Sequence, residues 1–236
     1  MSSEIIERDD GSLVLPSSAD PAVAMYQAVG FRRFSVGLDV GRYTDPSALC
    51  IIKAESKPYF TGRGFEQKLT QPQYSIVYTE TVKNLDYTDL VDMVVARLRK
   101  LKHWNLLCDA SGMGGPVVSL FHQASVRCTG VTITAGSTIT RDGSKVTCSK
   151  NLLLENLATQ IENGSCVIAH DLPGRDQLLQ EIAAFELTFT SAGNPVLQGG
   201  GKGHHSDAAI ATALALLGET HLSSRAMEVR KLQGFF

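Results

Sequence analysis

Three acids stand where ordinary chain building would not put them. Asp39 lies inside the apolar run FSVGLDV (34–40). Strand interiors disfavour Asp, and an unpaired buried carboxylate costs several kcal/mol or gives up its charge. Asp109 ends the apolar run WNLLCD (104–109) at the glycine-rich turn ASGMGG, and Asp207 opens DAAIATALALL, a segment apolar on nearly every face and therefore bound for burial. Each has a plain structural reading as well: Asp207 or Ser206 as a helix N-cap, Asp109 as a turn residue. Asp39 is the hardest to explain that way. Brought together, three carboxylates repel one another unless cations neutralise them. Such an oxygen-rich set selects hard divalent ions, Mg or Mn. Two of these about 3.5–4 Å apart activate a water and stabilise the leaving oxygen in phosphodiester cleavage. The three acids are thus candidate metal ligands and catalytic residues together.

Weaker candidates surround them. His204, three residues before Asp207, is a candidate auxiliary ligand or proton shuttle, or equally a solvent-facing residue at a helix start. If Asp207 is not the third ligand, His204 or Asp176 is next in line. Lys202 within GGGKG is a candidate DNA contact on a glycine-rich loop, against the plain reading of a linker. GGGKG is not a P-loop, because Gly203 follows the lysine, and no G-x-x-x-x-G-K-[ST] occurs anywhere. Arg97, Arg99, Lys100 and Lys102 read as a solvated helix end.

The acids need a scaffold to meet on. Residues 1–30 read as an arm or linker with a short helix at PAVAMYQAV, residues 31–220 as one domain, and 221–236 as a tail. Strands are expected over 34–41 and 47–55, joined by a turn at Asp45-Pro46. Residues 56–73 read as a loop, and YSIVYTETV as a third strand. LDYTDLVDMVVARLRKL has helical spacing at Leu90, Val94, Leu98 and Leu101. WNLLCD is a fourth strand, VVSLFHQAS a helix with Pro116 in its first turn, and RCTGVTIT a fifth strand. Residues 135–149 read as a polar loop, 151–162 and 174–185 as helices around the short apolar CVIAH, and ELTFTSAGNPVLQ as hairpin-like. The predicted architecture is α/β: a central mixed five-stranded sheet, its first three strands antiparallel and the rest parallel through right-handed crossovers, flanked by helices. That order fits a ribonuclease-H-like fold and equally each half of an actin-like ATPase. In either, the first strand neighbours the strand ending at Asp109, so Asp39 and Asp109 leave the sheet at one edge.

Bulk properties set the outer limits. With 236 residues the chain can bury a sizeable core without disulfides or a structural metal. A net charge of −2 argues against strong non-specific nucleic-acid binding, though not against a local basic groove. The five cysteines are widely spaced with no C-x-x-C pair, as expected of free buried thiols in a reducing compartment. No membrane span and no signal peptide are expected, and a cytoplasmic location follows.

The motifs also resemble, in order and over about residues 34–218, the nuclease domain of phage terminase large subunits, which cut concatemeric viral DNA during packaging. The matching segments are VGLDVGRYTDPSAL, LLCDASGMGGPVV, SKNLLLENLATQIENGSCVIA followed by LLQEIAAFE, and GHHSDAAIATALALL. The resemblance implies a ribonuclease-H-like fold, two-metal endonuclease chemistry with Mg or Mn, and double-stranded DNA as substrate. Asp39, Asp109 and Asp207 fall on the family's metal-binding acids, and His204 where members place a polar residue. It also implies an ATPase motor, as a separate chain or a missing N-terminal domain, since no Walker A motif is present. A small terminase subunit, a portal and the host cytoplasm complete the implied setting. One departure is the reading H-S-D where many relatives carry H-D-D. Two alternatives use the same residues differently. A Holliday-junction resolvase would apply the acids to branched DNA, and an actin-like or sugar-kinase ATPase would read Gly37-Leu38-Asp39-Val40-Gly41 and DASGMGG as phosphate loops, leaving Asp207 without a role.

Overall fold

Alternation along Phe34–Asp39 sends Val36 and Leu38 to one face of a strand and Ser35, Gly37 and Asp39 to the other, and each face builds its own core. The computed structural model describes residues 4–15, 26–41, 45–61, 66–189, 195–199, 206–223 and 228–231. In chain order the first elements are β1 (Ile6–Glu7), β2 (Ser12–Val14), β3 (Tyr26–Asp39), β4 (Ser47–Ser56), β5 (Pro58–Thr61), β6 (Glu66–Leu69), β7 (Gln73–Val82) and α1 (Tyr87–Leu98). The middle of the chain forms β8 (Trp104–Asp109), α2 (Gly114–Gln123), β9 (Thr129–Thr134), β10 (Ile139–Asp142), β11 (Lys145–Ser149) and α3 (Lys150–Glu162). Then come β12 (Cys166–Ile168), α4 (Arg175–Ala183), β13 (Phe185–Phe189), β14 (Pro195–Gly199), α5 (Asp207–Leu217), a π-helical turn (Gly218–Leu222) and β15 (Glu228–Lys231).

The main sheet runs β10-β11-β9-β8-β3-β4-β7-β12. β3, β4 and β7 are antiparallel, as the short connections between them require. β8 joins β3 in parallel after the α1 crossover, β9 joins β8 after α2, and β11 lies parallel to β9. β4 is buried along almost its whole length, as a central strand covered on both faces must be. On one face Val36, Leu38, Leu49, Ile51, Leu106 and Cys108 pack against Leu90, Val94 and Leu98 of α1 and Val117 and Phe121 of α2. The spacing of those α1 residues is the one that predicted the helix, and Asp86 caps it by accepting from the Thr88 and Asp89 N–H groups at 2.9 Å each. The opposite face packs Cys50, Ile52, Ile76 and Leu107 against α3, α4 and α5.

The sheet is wider than the five strands expected, and four segments account for it, one being Cys166–Ile168 of CVIAH, which pairs in parallel with β7 as β12. Residues 135–149, expected to be a polar loop, contain the β10–β11 hairpin. Its two-residue turn is Gly143-Ser144, with Asp142 paired to Lys145 across it and Gly143 at φ 58°, a hairpin signal flanked by short strands. Part of the expected N-terminal arm and of the expected tail also lies in the sheet: β2 pairs with β3 over Ser12–Val14, and β15 pairs with β3 over Glu228–Lys231. Tyr26–Val29, inside the stretch expected to be a short helix, is strand. β3 is simply longer than its apolar core, and its N-terminal half recruits these partners. The 56–73 segment, expected to be a loop, carries the small β5–β6 hairpin. All five cysteines are free and buried, and no helix among the described residues is long and apolar enough to cross a membrane.

α5 is buried at every residue from Ala208 to Leu217, which is why its sequence has no polar face. It lies directly on β3 because Gly37 has no side chain. A Cβ there would stand 1.9 Å from the Ala211 carbonyl oxygen and 2.6 Å from the Ala215 nitrogen. At the far end of the helix, a Cβ on Gly218 would stand 2.5 Å from Ser35 Oγ. Strand and helix therefore run antiparallel, Ser35 under Gly218 and Gly37 under Ala211–Ala215.

Candidate metal centre

That packing determines where the third acid goes. From Gly37, two residues along β3 cover about 6.7 Å and reach Asp39 on the same face. From Ala211, four residues back along α5 cover about 6 Å and reach Asp207. The last residue of β3 and the first of α5 thus come to the same level on the same side of the sheet. Asp109 joins them through strand register. β3 and β8 pair in parallel through Gly37↔Leu107 and Leu38↔Cys108, so Asp39 and Asp109 are the next step on neighbouring strands about 4.8 Å apart. On its other side Asp39 faces Ala48, a small buried residue that adds no competing polar group.

The turn after β8 is built to hold Asp109 in place. The Ser111 N–H donates to Asp109 Oδ1 at 2.8 Å, and Ser111 Oγ accepts from the Ile133 N–H of β9 at 2.9 Å. α2 starts hard against the same residue, since a Cβ on Gly114 would lie 1.6 Å from the Asp109 carbonyl oxygen. Only glycine permits that approach, which explains the glycine-rich turn.

The electrostatics report mutual crowding. The Asp39 carboxyl is pushed well above the ordinary carboxylate range, first by burial and then by Asp109 and Asp207; Lys150 pulls it back down and Glu181 pushes it further up. Asp109 is raised by burial, against the stabilising hydrogen bonds from Ser111. Among the described residues, no three His, Cys, Asp or Glu side chains already close around one point as an ion's ligands would. Asp39 is close enough to Asp109 and Asp207 to feel their charge, without the three converging on a coordination point. As a donor set they are hard oxygens with an excess of negative charge, which fits Mg or Mn and not a soft metal.

Two residues that sequence reasoning missed belong to this neighbourhood. Lys150 begins α3 immediately after β11, and its charge reaches Asp39. The signal was available, because a lysine at the first position of a helix opposes the helix dipole. Glu181 sits on α4 with its side chain buried. Its signal was its place between Leu178 and Ile182 on an otherwise apolar stripe. Of the other candidates, Asp176 is solvent-exposed at the start of α4, with Arg175 at 3.6 Å. His204 and Lys202 lie outside the described residues. Ser206 is the N-cap position of α5, but its side chain makes no capping bond, and Asp207 is the first helical residue, not the cap.

No family model matches the chain, and a search of curated proteins finds no match. Among solved structures, the large terminase nuclease from thermophilic phage G20c aligns with a TM-score of 0.55 at 20% identity, over 89% of this chain and 89% of that one. The same nuclease with bound magnesium gives 0.55 and 20%, over 89% of this chain and 88% of that one. The large terminase nuclease domain of Thermus phage P74-26 gives 0.53 and 18%, over 88% and 85%. The fold is therefore the ribonuclease-H-like α/β fold of these nuclease domains, which decides between the two architectures that element order left open.

Proposed function

We propose that the chain is a metal-dependent endonuclease that hydrolyses phosphodiester bonds in double-stranded DNA, acting on concatemeric viral DNA during genome packaging. The observation that carries the reading is the register of Asp39 beside Asp109 on adjacent parallel strands, with Asp207 at the start of the helix that packs on Gly37. The order of the quoted motifs and the likeness of fold to large terminase nucleases support it. Asp39, Asp109 and Asp207 would hold two divalent cations, Mg or Mn. Bound there, the ions would supply an activated water and stabilise the leaving oxygen of the broken phosphodiester bond.

The chain's own residues have separate tasks. Asp39, whose carboxyl is held well above the ordinary carboxylate range, gives up its proton when positive charge arrives. Ser111 keeps one Asp109 oxygen turned toward the turn, leaving the other for the site. Lys150 contributes fixed positive charge beside an acidic cluster that would otherwise repel a DNA phosphate. Lys202 and His204 remain proposals for DNA contact and auxiliary ligation. In this setting the partners are an ATPase motor, as a separate chain or a missing domain, a small terminase subunit and a portal.

The test is conversion of supercoiled plasmid to nicked and linear forms with Mn or Mg, beside a four-way junction of equal length. Cleavage of linear duplex with Mn or Mg and silence in EDTA is expected. Calcium should bind without turnover, because its loose coordination places the nucleophile poorly. Robust cutting in EDTA overturns the metal mechanism, and cutting confined to the junction replaces the packaging role with a resolvase.

A further inference from the structure

α5 begins without a cap of its own. Ser206 has φ −122° and ψ 25°, and its hydroxyl accepts nothing from the helix. The first N–H groups of a helix have no partner within it, and here a different helix supplies one. The Ala209 N–H donates to Glu181 Oε2 at 3.0 Å. Glu181 belongs to α4 and is only 8% exposed. Its other oxygen, Oε1, accepts from Gln177 Nε2 at 2.9 Å, one turn earlier on the same helix, so both ends of the carboxylate are held. Its negative charge faces the positive end of the α5 dipole, the favourable arrangement. The bond spans 28 residues of sequence and joins the two bases of the segment that carries β13 and β14. Asp207 is two residues before Ala209, in the same first turn.

We propose that Glu181 is a positioning residue for Asp207: a carboxylate lent by α4 that replaces the missing cap of α5 and fixes the turn from which Asp207 reaches the site. The rival role, a further metal ligand, makes a different demand. A ligand needs the negative charge, whereas a cap needs only an acceptor in the right place. Both Glu181 oxygens are already engaged by N–H donors, which favours the cap. The inference rests on the nuclease reading for its functional half, while the capping half stands on the hydrogen bonds alone.

Glu181→Gln keeps an acceptor of the same reach, and the Gln177 amide can turn to accept from the new NH2. Glu181→Ala removes the acceptor. Glu181→Asp withdraws it by one methylene and reads the same loss if the alanine variant fails to fold. Two quantities are compared: hydrogen exchange at the Ala209 amide in metal-free protein, and kcat and KM for plasmid cleavage under saturating Mn. The expected result is wild-type protection of Ala209 in Glu181→Gln with kcat within about threefold, and at least about tenfold faster exchange in Glu181→Ala or Glu181→Asp. In those two, kcat should fall by about 10–100-fold at nearly unchanged KM, the scale for an ångström-level misplacement of a reacting group. A glutamine variant as inactive as the alanine one makes Glu181 a ligand and overturns the proposal, as does unchanged exchange in both alanine and aspartate variants. If the wild-type protein cuts nothing, the exchange data still decide the cap, and only the nuclease reading falls.

Discussion

Gly37→Ala is the sharpest probe of how the fold builds the site, because it touches no candidate ligand. The new methyl would start 1.9 Å from the Ala211 carbonyl oxygen and 2.6 Å from the Ala215 nitrogen. Both are backbone atoms, so no side chain can swing aside. To restore even the tightest ordinary contact, about 3 Å, α5 must retreat by roughly 1 Å in a close-packed interior. Overpacking of this kind costs about 1–3 kcal/mol. The retreat also carries Asp207 away from Asp39 and Asp109, and an ångström of misplacement costs about 100-fold in rate. The expected phenotype is a folded protein with a lowered Tm, near wild-type DNA binding, and cleavage reduced by about two orders of magnitude. Gly136→Ala is the control, since its Cβ would meet only Thr134 Oγ1 at 3.7 Å; it should behave as wild type. The assay pairs thermal melts with plasmid-nicking rates across a Mn titration. Wild-type Tm and wild-type cleavage in Gly37→Ala would refute the placement of α5 on β3, and with it the route by which Asp207 reaches the site.

Asp207→Asn should fold normally, bind DNA at least as well because a charge repelling the phosphate backbone is gone, and cut at background level; near wild-type cutting under saturating Mn would remove it from the ligand set. Ser206→Ala should leave Tm unchanged, because its hydroxyl makes no capping bond; a loss of about 1 kcal/mol, the usual value of a cap, would place a bond there that the structure does not have. Asp39 and Asp109 hold their protons more tightly folded than unfolded. The metal-free folded state therefore binds more protons, and its stability falls as pH rises from the ordinary carboxylate range, about 3.9, through the raised folded values. Metal-free melts should show stability falling as pH rises above the ordinary carboxylate range, with saturating Mn restoring stability at pH 7 by mass action; no Mn-dependent rise at pH 7 would contradict it. Asp39→Asn should leave the metal-free Tm unchanged or raised, and a fall of many degrees would make Asp39 a structural residue instead.

The heart of the candidate site was legible in the chain because its residues violate local expectation. An acid in an apolar strand, an acid at a glycine-rich strand end and an acid opening an all-apolar helix are each costly alone, and register then makes Asp39 and Asp109 neighbours. Lys150 and Glu181 broke local rules just as clearly, one against a helix dipole and the other on an apolar stripe, and could have been found the same way. What the chain could not show was the depth of contact between α5 and β3, since the meaning of Gly37 depends on a helix 174 residues away in sequence being laid across it. The β10–β11 hairpin and the partners of the N-terminal half of β3 were obscured for a different reason. β10, at the sheet edge, is polar and exposed, β11 alternates over only five residues and β2 is three residues long, so the Gly143-Ser144 turn was the main local sign. Ser206 and Asp207 were natural candidates for a cap by residue type, but the capping acceptor comes from another helix, and no local pattern encodes that.

The central claim is that Asp39, Asp109 and Asp207 together hold divalent metal, and anomalous scattering from a Mn-soaked crystal tests it most directly. The account predicts one or two strong Mn peaks within ligand distance of all three carboxylates, lost in Asp207→Asn crystals soaked identically. Saturating Mn with no peak between these acids, or with a peak only elsewhere on the chain, would contradict it.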